Sequence, residues 1–553
     1  MAEAAPDWST APAFSTRPQL LRLKAQATRV FSRARRGVMR FNGFARRLAW
    51  WVTLALFFSE ASSWEYGIMI DAGSGGTRLH GFRWPERVAD PLRPLYGAVT
   101  IPEELFVVST KPGISAFVHN ISGIWNYMRG LLGQAEDKLE DLRQSWYIIP
   151  VYLKATAGTR NLYQDERDAI FNRLRDVLAS SRFRFDSDYW ARTISGEEEA
   201  VNAWLTVNAI KGTYRAAAGE STWGALDMGG ASNQMAFIPK DISIIQNYYP
   251  LHLSYLNVHL YSHSFLEFGY RDAHQRLIRL LISRGQGNGT RYSPVVSPCF
   301  KRGRVFMQIF SDTFALGQKE RWVLGVGDMA ECFALATELL DTNARCFVPA
   351  RSREFAVDSR MGACGINGIY EPSVARRKFI AIGQYAKQAR LLGLSMDKLV
   401  PLSQWMKGLE LHCTNGAWEQ FCWKSIWLGA LLHKGLNFPL DTEQIMFSTT
   451  LNGKETGWAL GSMMHEVNYY PWRASVNTPF GLDLASCAAA SNAHAPGAWG
   501  SRTMATIAAG SALSLLSLGS ILGWVAAKSC AARTDAIHRA ALSVDVREPL
   551  LRA

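Results

Sequence analysis

Apolar residues in this chain fall into short blocks bounded by glycine and polar residues, and two of those blocks end alike. Tyr66-Gly67-Ile68-Met69-Ile70 reads as a buried strand and leads into Asp71-Ala72-Gly73-Ser74-Gly75-Gly76-Thr77-Arg78. Gly224-Ala225-Leu226 leads in the same way into Asp227-Met228-Gly229-Gly230-Ala231-Ser232. Between the two, apolar positions at Phe117, Ile121, Ile124, Met128, Leu131 and Leu132 predict a helix over 115–142. A strand is expected over 146–153, with 154–160 as its exit loop, and an amphipathic helix over 165–180. A polar turn at Ser195-Gly196 opens a helix over 197–208, whose acids sit favourably at its positive end. Alternating strands and helices point to an α/β body. No Pro- or Ser-rich linker interrupts 64–480, so two lobes would have to be wound from one continuous chain.

An acid followed by small residues and a hydroxyl has a specific use. Glycines at 73, 75 and 76 supply conformations that other residues resist, and a tight loop of small residues exposes backbone N–H groups to an anion. Ser74 and Thr77 add hydroxyl donors, and Asp71 suits a hard cation that takes oxygen ligands. A single Asp-x-Gly is more often only a turn. Its repetition at Asp227 turns it into half of a pair: two loops across a cleft, each gripping one end of a polyphosphate, with a cation between the two acids.

The ends of the chain add a cellular setting. The net charge of +13 is concentrated before residue 48, where ten Arg or Lys face Glu3 and Asp7. Nucleic acid is not the expected partner, because an uncharged apolar run follows at 48–58, ending in Ser59-Glu60-Ala61. Eleven residues are too short to span a bilayer as a helix, so 1–61 reads as a targeting head with a signal-peptide core, cut after Ala61. An acid-free, arginine-rich transit peptide is the alternative, and a retained head would make a second span. Residues 504–527 carry no charge and are expected to form a transmembrane helix, with Lys528 and Arg533 on its cytosolic side. Residues 485–503 read as a flexible stalk and 528–553 as a cytosolic tail. This is a type I arrangement on a lipid bilayer, with the body outside the cell or in a Golgi, endosomal or vacuolar lumen. Of eight cysteines, Cys299, Cys332, Cys346, Cys364, Cys413 and Cys422 could form three bridges there, leaving Cys487 over. Asn120-Ile121-Ser122 and Asn288-Gly289-Thr290 are glycosylation sequons. Nothing in the sequence sets an oligomeric state.

Five motifs in order resemble the apyrase family of nucleoside tri- and diphosphatases. They are Asp71 to Arg78, Lys154 to Arg160, Ser195 to Asn208, Asp227 to Gln234, and Phe421 to Phe438 followed by Gly457 to Gly461. His263-Ser264-Phe265-Leu266, Ser297-Pro298-Cys299 and Cys364 to Tyr370 also look like family segments. The resemblance implies a two-lobed actin/sugar-kinase/Hsp70-like α/β fold, with lobe I over 64–195 plus about 456–481 and lobe II over 196–455. It also implies metal-dependent hydrolysis of the terminal phosphoanhydride of a nucleoside tri- or diphosphate by water. Both readings assign the same residues. Asp71 and Asp227 would hold Mg²⁺ or Ca²⁺ through water. Ser74, Gly75, Gly76, Thr77, Thr156 and Arg160 would bind phosphate on one side, and Gly230, Ala231 and Ser232 on the other. Glu199 would be the general base, with Ser232 and Gln234 placing the attacking water. Glu197 and Glu198 read as a solvated helix start.

Tyr385, Phe421 and Trp427 are the expected nucleobase platform, while Trp204 and Trp458 divide between core packing and the site. The family's disulfides imply Cys299–Cys332 and Cys413–Cys422, with Cys346–Cys364 as the remainder. Three positions depart from the family: Gly75 where Ser is usual, Ala200 and Asn202 where Gly and an aromatic are usual, and Asn233 where Thr is usual. Gly76-Thr77-Arg78 is closer in spelling to lumenal diphosphatases and plant-type apyrases, which makes a GDP/UDP diphosphatase an option. A non-catalytic nucleotide receptor and a polyphosphate or alarmone phosphatase are the competing readings.

Overall fold

The computed structural model describes residues 64–86, 99–214, 221–240, 243–254, 256–311, 318–342, 365–414 and 421–468. The expected signal core, stalk, transmembrane helix and tail, with Cys346, Cys364 and Cys487, lie outside them. Among the described residues no helix is long and apolar enough to cross a membrane.

Two sheets carry the architecture. The first holds β1 (Trp64–Gly73), β2 (Gly76–Pro85), β3 (Glu103–Thr110), β4 (Val151–Ala155) and β5 (Ala191–Thr193) in the order β3-β2-β1-β4-β5. The second is built from β6 (Trp223–Met228), β7 (Ser232–Phe237), β8 (Tyr248–Leu253), β9 (Leu256–Leu266), β13 (Lys378–Gly383), β14 (Leu399–Pro401) and β15 (Glu443–Phe447). Its order is β14-β15-β13-β6-β7-β9-β8. The central five strands repeat the plan of the first sheet. In each, the strand that carries the aspartate near its end turns back into the next strand, and the other edge receives parallel strands, β4 and β5 in one, β13 and β15 in the other. Parallel strands buried on both faces need continuous apolar runs, which Ile68-Met69-Ile70 and Phe379-Ile380-Ala381-Ile382, all fully buried, supply. β10 (Val295–Ser297), β11 (Val305–Ser311) and β12 (Gln318–Gly325) form a separate three-stranded sheet.

The helices that position the site are α1 (Gly123–Lys138), α2 (Gln164–Ala179), α3 (Gly196–Lys211), α4 (Tyr270–Ser283), α5 (Met329–Leu339), α6 (Gln384–Leu391), α7 (Ser403–His412), α8 (Cys422–Ala430) and α9 (Ala459–Asn468). α3 is buried on nearly every side, as its run of Ala, Val, Trp and Leu requires. It crosses α9 so closely that a Cβ on Gly461 would lie 1.9 Å from the Asn202 carbonyl oxygen, while Gly461 N–H donates to Thr206 Oγ1 at 2.8 Å. An apolar core runs from the second sheet through Phe268, Trp405, Trp423 and Trp427. Cys299–Cys332 ties the end of β10 to α5, and Cys413–Cys422 joins the end of α7 to α8, both as the resemblance implied.

Two local expectations are corrected. The helix expected over 115–142 is broken: a 3₁₀ turn at Ile114–Phe117 precedes α1, and a second stretch of 3₁₀ covers Glu140–Ile148. The strand expected from Trp146 starts only at Val151. Trp146 is instead folded into the 3₁₀ segment, where its indole N–H donates to Leu139 O at 2.8 Å and its ring meets Phe183 at 5.8 Å.

Candidate active site

Both aspartates lie within the last three residues of a strand that turns back as a hairpin. β1 and β2 are joined by Ser74-Gly75 alone, and β6 and β7 by Gly229-Gly230-Ala231, closed by Gly229 N–H on Ser232 O at 3.0 Å. None of Gly73, Gly75, Gly76, Gly229 or Gly230 has a positive φ, so the glycines are not there for backbone freedom. Close approach is what most of them serve. A Cβ on Gly76 would lie 3.0 Å from Thr110 O, one on Gly158 2.9 Å from Ser74 Cα, and one on Gly230 2.9 Å from Ser74 Oγ. The two turns therefore touch at Ser74 and Gly230. Gly75 is exposed with nothing within 4 Å of its missing Cβ.

Asp71 is buried at 7% exposure and sits beside Lys154 in the parallel β1–β4 register. Arg78 Nη1 donates to Asp71 Oδ2 at 3.1 Å. Asp227 is only partly buried; desolvation, then the charge of Asp71, pushes its carboxyl up to about 6, against Arg78 and Lys387. Thr156, buried, donates its N–H to Ala72 O at 3.3 Å and starts the single helical turn Ala157–Arg160. Thr77, Ala231, Ser232 and Gln234 are each 2% exposed or less, in the walls between these turns.

Glu199 stands in the first turn of α3, behind a Ser195 cap whose Oγ accepts from Glu198 N at 3.0 Å. Burial drives the Glu199 carboxyl up to about 7; Arg160 opposes this, and Asp227 and Asp71 add to it. Arg160 is not a surface residue: its guanidinium bonds Glu199 Oε2, Ile194 O at 3.0 Å and Ser264 Oγ at 3.4 Å. Gln234 Nε2 donates to Ser232 Oγ and, at 2.9 Å, to the same Ser264 Oγ. Ser264 thus joins Gln234 to the Arg160–Glu199 pair. It was quoted above only as part of a family segment, and a small hydroxyl in an alternating strand carries no stronger signal. Gly196 makes the junction possible, since a Cβ there would lie 2.1 Å from Ser264 Cβ. Gln234 Oε1 is buried without a hydrogen-bond partner.

Several expectations fare differently. Glu198 is no solvated residue, because Arg192 grips it with two bonds at 2.7 and 2.8 Å and Lys154 adds a third at 3.4 Å. Tyr385 and Trp427 are completely buried and present no ring face to a base. Tyr385 donates to Asn233 Oδ1 at 2.8 Å; Trp427 donates to Phe268 O at 3.2 Å and stacks between Phe268 and Trp423. Phe421 is half-buried, edge-on to His412 at 5.8 Å. Trp204 and Trp458 are buried in the packing. Among the described residues, no three His, Cys, Asp or Glu side chains group as a metal cage. Two carboxylates at facing turns leave most of a coordination sphere to water and phosphate, which fits a cation that retains its waters.

Comparison with known proteins decides what such a pair of hairpins belongs to. The GDA1/CD39 (nucleoside phosphatase) family matches residues 58–479. The chain belongs to this family. Among nucleoside phosphatases it is 27% identical over 457 residues to ectonucleoside triphosphate diphosphohydrolase 1 of Bos taurus, covering 75% of this chain and 83% of that one. It is also 27% identical to probable apyrase 6 of Arabidopsis thaliana, covering 73% and 72% of the two chains. A crystal structure of nucleoside triphosphate hydrolases from Neospora caninum shares the fold at a TM-score of 0.53 and 17% identity, over 77% of this chain and 97% of that one. As a nucleoside phosphatase the chain is a hydrolase acting on nucleotide phosphates.

Proposed function

We propose that this nucleoside phosphatase releases inorganic phosphate from nucleoside tri- and diphosphates, with Glu199 as general base. The observation that carries the reading is the chain Gln234–Ser264–Arg160–Glu199, which brings an ionisable carboxyl and an unpartnered amide oxygen to one place. A base with a pKa near 7 is matched to physiological pH. The attacking water gives one proton to Glu199 and keeps the other, with which it donates a hydrogen bond to Gln234 Oε1. Its oxygen forms a bond to the terminal phosphorus as the bridging P–O bond breaks, and the remaining nucleotide leaves as the anion. Ser232, whose Oγ already accepts from Gln234, keeps its own hydrogen for the phosphate or the water. The β1–β2 turn (Ser74 to Thr77) with Thr156, and the β6–β7 turn (Gly230 to Ser232), hold the phosphates on either side.

Arg160 acts here by holding Glu199 rather than as a free phosphate ligand. Asp71 and Asp227 would hold Mg²⁺ or Ca²⁺ through water, and such a cation neutralises charge on the phosphate oxygens. The two sheets are read as the cores of two actin-like lobes. The body is read as lumenal or extracellular, anchored by the apolar segment 504–527. Phosphate release from ATP, ADP, GDP, UDP and polyphosphate, each with Mg²⁺, Ca²⁺ or a chelator, tests the reading. Metal-dependent release from the nucleotides is expected; release from polyphosphate alone, or release unaffected by chelator, would contradict it.

A further inference from the structure

Arg271 lies outside every motif singled out in the sequence, yet it is the side chain placed at the seam of the two phosphate turns. It stands in the first turn of α4, and Gly269 lets that helix start against the β6–β7 turn: a Cβ on Gly269 would be 2.4 Å from Ala231 N. The backbone N–H groups of Tyr270 and Arg271 then donate to Gly229 O and Gly230 O at 3.3 and 2.9 Å. From this footing on the second turn the side chain reaches the first, with Nη1 donating to Ser74 O at 3.0 Å. On the way its guanidinium carbon passes 3.7 Å from the position a Gly230 Cβ would take. Asp272 steadies the fork through Arg271 Nε at 3.3 Å, and its other oxygen accepts from Asn161 Nδ2 at 3.2 Å. Asn161 directly follows Arg160, so this strap joins all three loops of the site.

A neutral carbonyl is a modest partner for a guanidinium. The bonds to Asp272 and Ser74 use two of its five N–H donors, and the side chain is 39% exposed. A polyphosphate entering between the turns brings several negative charges to within reach of the remaining donors, where a planar fork suits phosphate oxygens.

We propose that Arg271 is a substrate-affinity residue, which fixes the spacing of the two phosphate turns and adds a positive charge where the polyphosphate enters. The inference rests on the phosphatase reading above. It predicts an effect on substrate binding and not on the attack, because nothing places Arg271 beside Glu199 or Gln234.

The test compares Arg271→Met and Arg271→Lys with wild type and Glu199→Gln, measuring KM and kcat for a nucleoside diphosphate, the Kd of inorganic pyrophosphate with Mg²⁺, and the thermal midpoint. Arg271→Met is expected to raise KM and Kd about tenfold with kcat within about threefold of wild type and an unchanged midpoint, and Arg271→Lys to recover part of the loss. Unchanged KM and Kd in Arg271→Met would overturn the inference, as would losses in both variants that merely track a lowered midpoint. Should Arg271→Met fail to fold, Asp272→Asn, which weakens the same fork, is expected to raise KM about threefold, and no rise would overturn it. Failure of the phosphatase reading looks different: wild type would release no phosphate, or Glu199→Gln would release as much.

Discussion

Lys154 Nζ lies 2.8 Å from Glu466 Oε1 with only 2% of the lysine side chain exposed. The same ammonium is 3.4 Å from Glu198, so one buried charge joins β4, the first turn of α3 and α9. Removing it takes this cation from Glu466 and leaves Glu198 to Arg192, both in a poorly solvated place, which costs about 3 kcal/mol. Lys154→Met is therefore expected to lower the thermal midpoint by several degrees and to reduce kcat, since Glu198 precedes Glu199. Lys154→Arg should recover part of both. A midpoint within a degree of wild type would contradict this.

The raised carboxyl of Glu199 sets the pH dependence. As a base it works ionised, so kcat/KM should rise with pH through about 7, and a cation near Asp71 and Asp227 should move that rise to lower pH. Stability runs the other way. A folded pKa of about 7 above the ordinary 4.5 means the fold favours the protonated acid, so stability is fully present below pH 4.5 and is lost as pH climbs through 7. Without metal, the thermal midpoint should fall between pH 5 and 7.5, and Glu199→Gln should flatten that fall. Parallel pH curves for the two proteins would speak against it.

Glycines in the turns should differ sharply in tolerance. Gly75→Ser adds a hydroxyl into open space and is expected to leave the fold intact and KM equal or lower. Gly158→Ala pushes a methyl to 2.9 Å from Ser74 Cα and Ser115 Oγ, which must shift the first turn and raise KM several-fold. Steady-state kinetics on the two variants separates them; equal effects would contradict the packing argument.

Tyr385 is a test of where the base is not. Tyr385→Phe removes the bond to Asn233 and should cost about 1 kcal/mol of stability while leaving the ranking of ATP, ADP, GDP and UDP unchanged. A changed ranking would restore the ring to the nucleobase site.

The strand–acid–turn pattern at Asp71 and Asp227 was legible because backbone hydrogen bonding and small residues leave a local mark, and both hairpins stand where it put them. The capped helix that carries Glu199 was legible from the polar turn at Ser195-Gly196. Ser264 and Arg271 were not, since each acts across a sequence separation of 30 or more on partners that no local pattern announces. Tyr385 and Trp427 were misread for a related reason: an aromatic that stacks on a ligand and one that closes a core have the same spelling, and only burial tells them apart. The strand expected from Trp146 failed where one indole hydrogen bond to Leu139 favoured a 3₁₀ turn.

Phosphate release by Glu199→Gln beside wild type, on one nucleoside diphosphate with saturating Mg²⁺ at pH 8, tests the central assignment most directly. The substitution keeps the shape of the side chain beside Arg160 and removes its negative charge, and with it the capacity to take a proton. Release about 10³-fold slower at a similar KM is the predicted result; release at the wild-type rate would show that Glu199 is not the base.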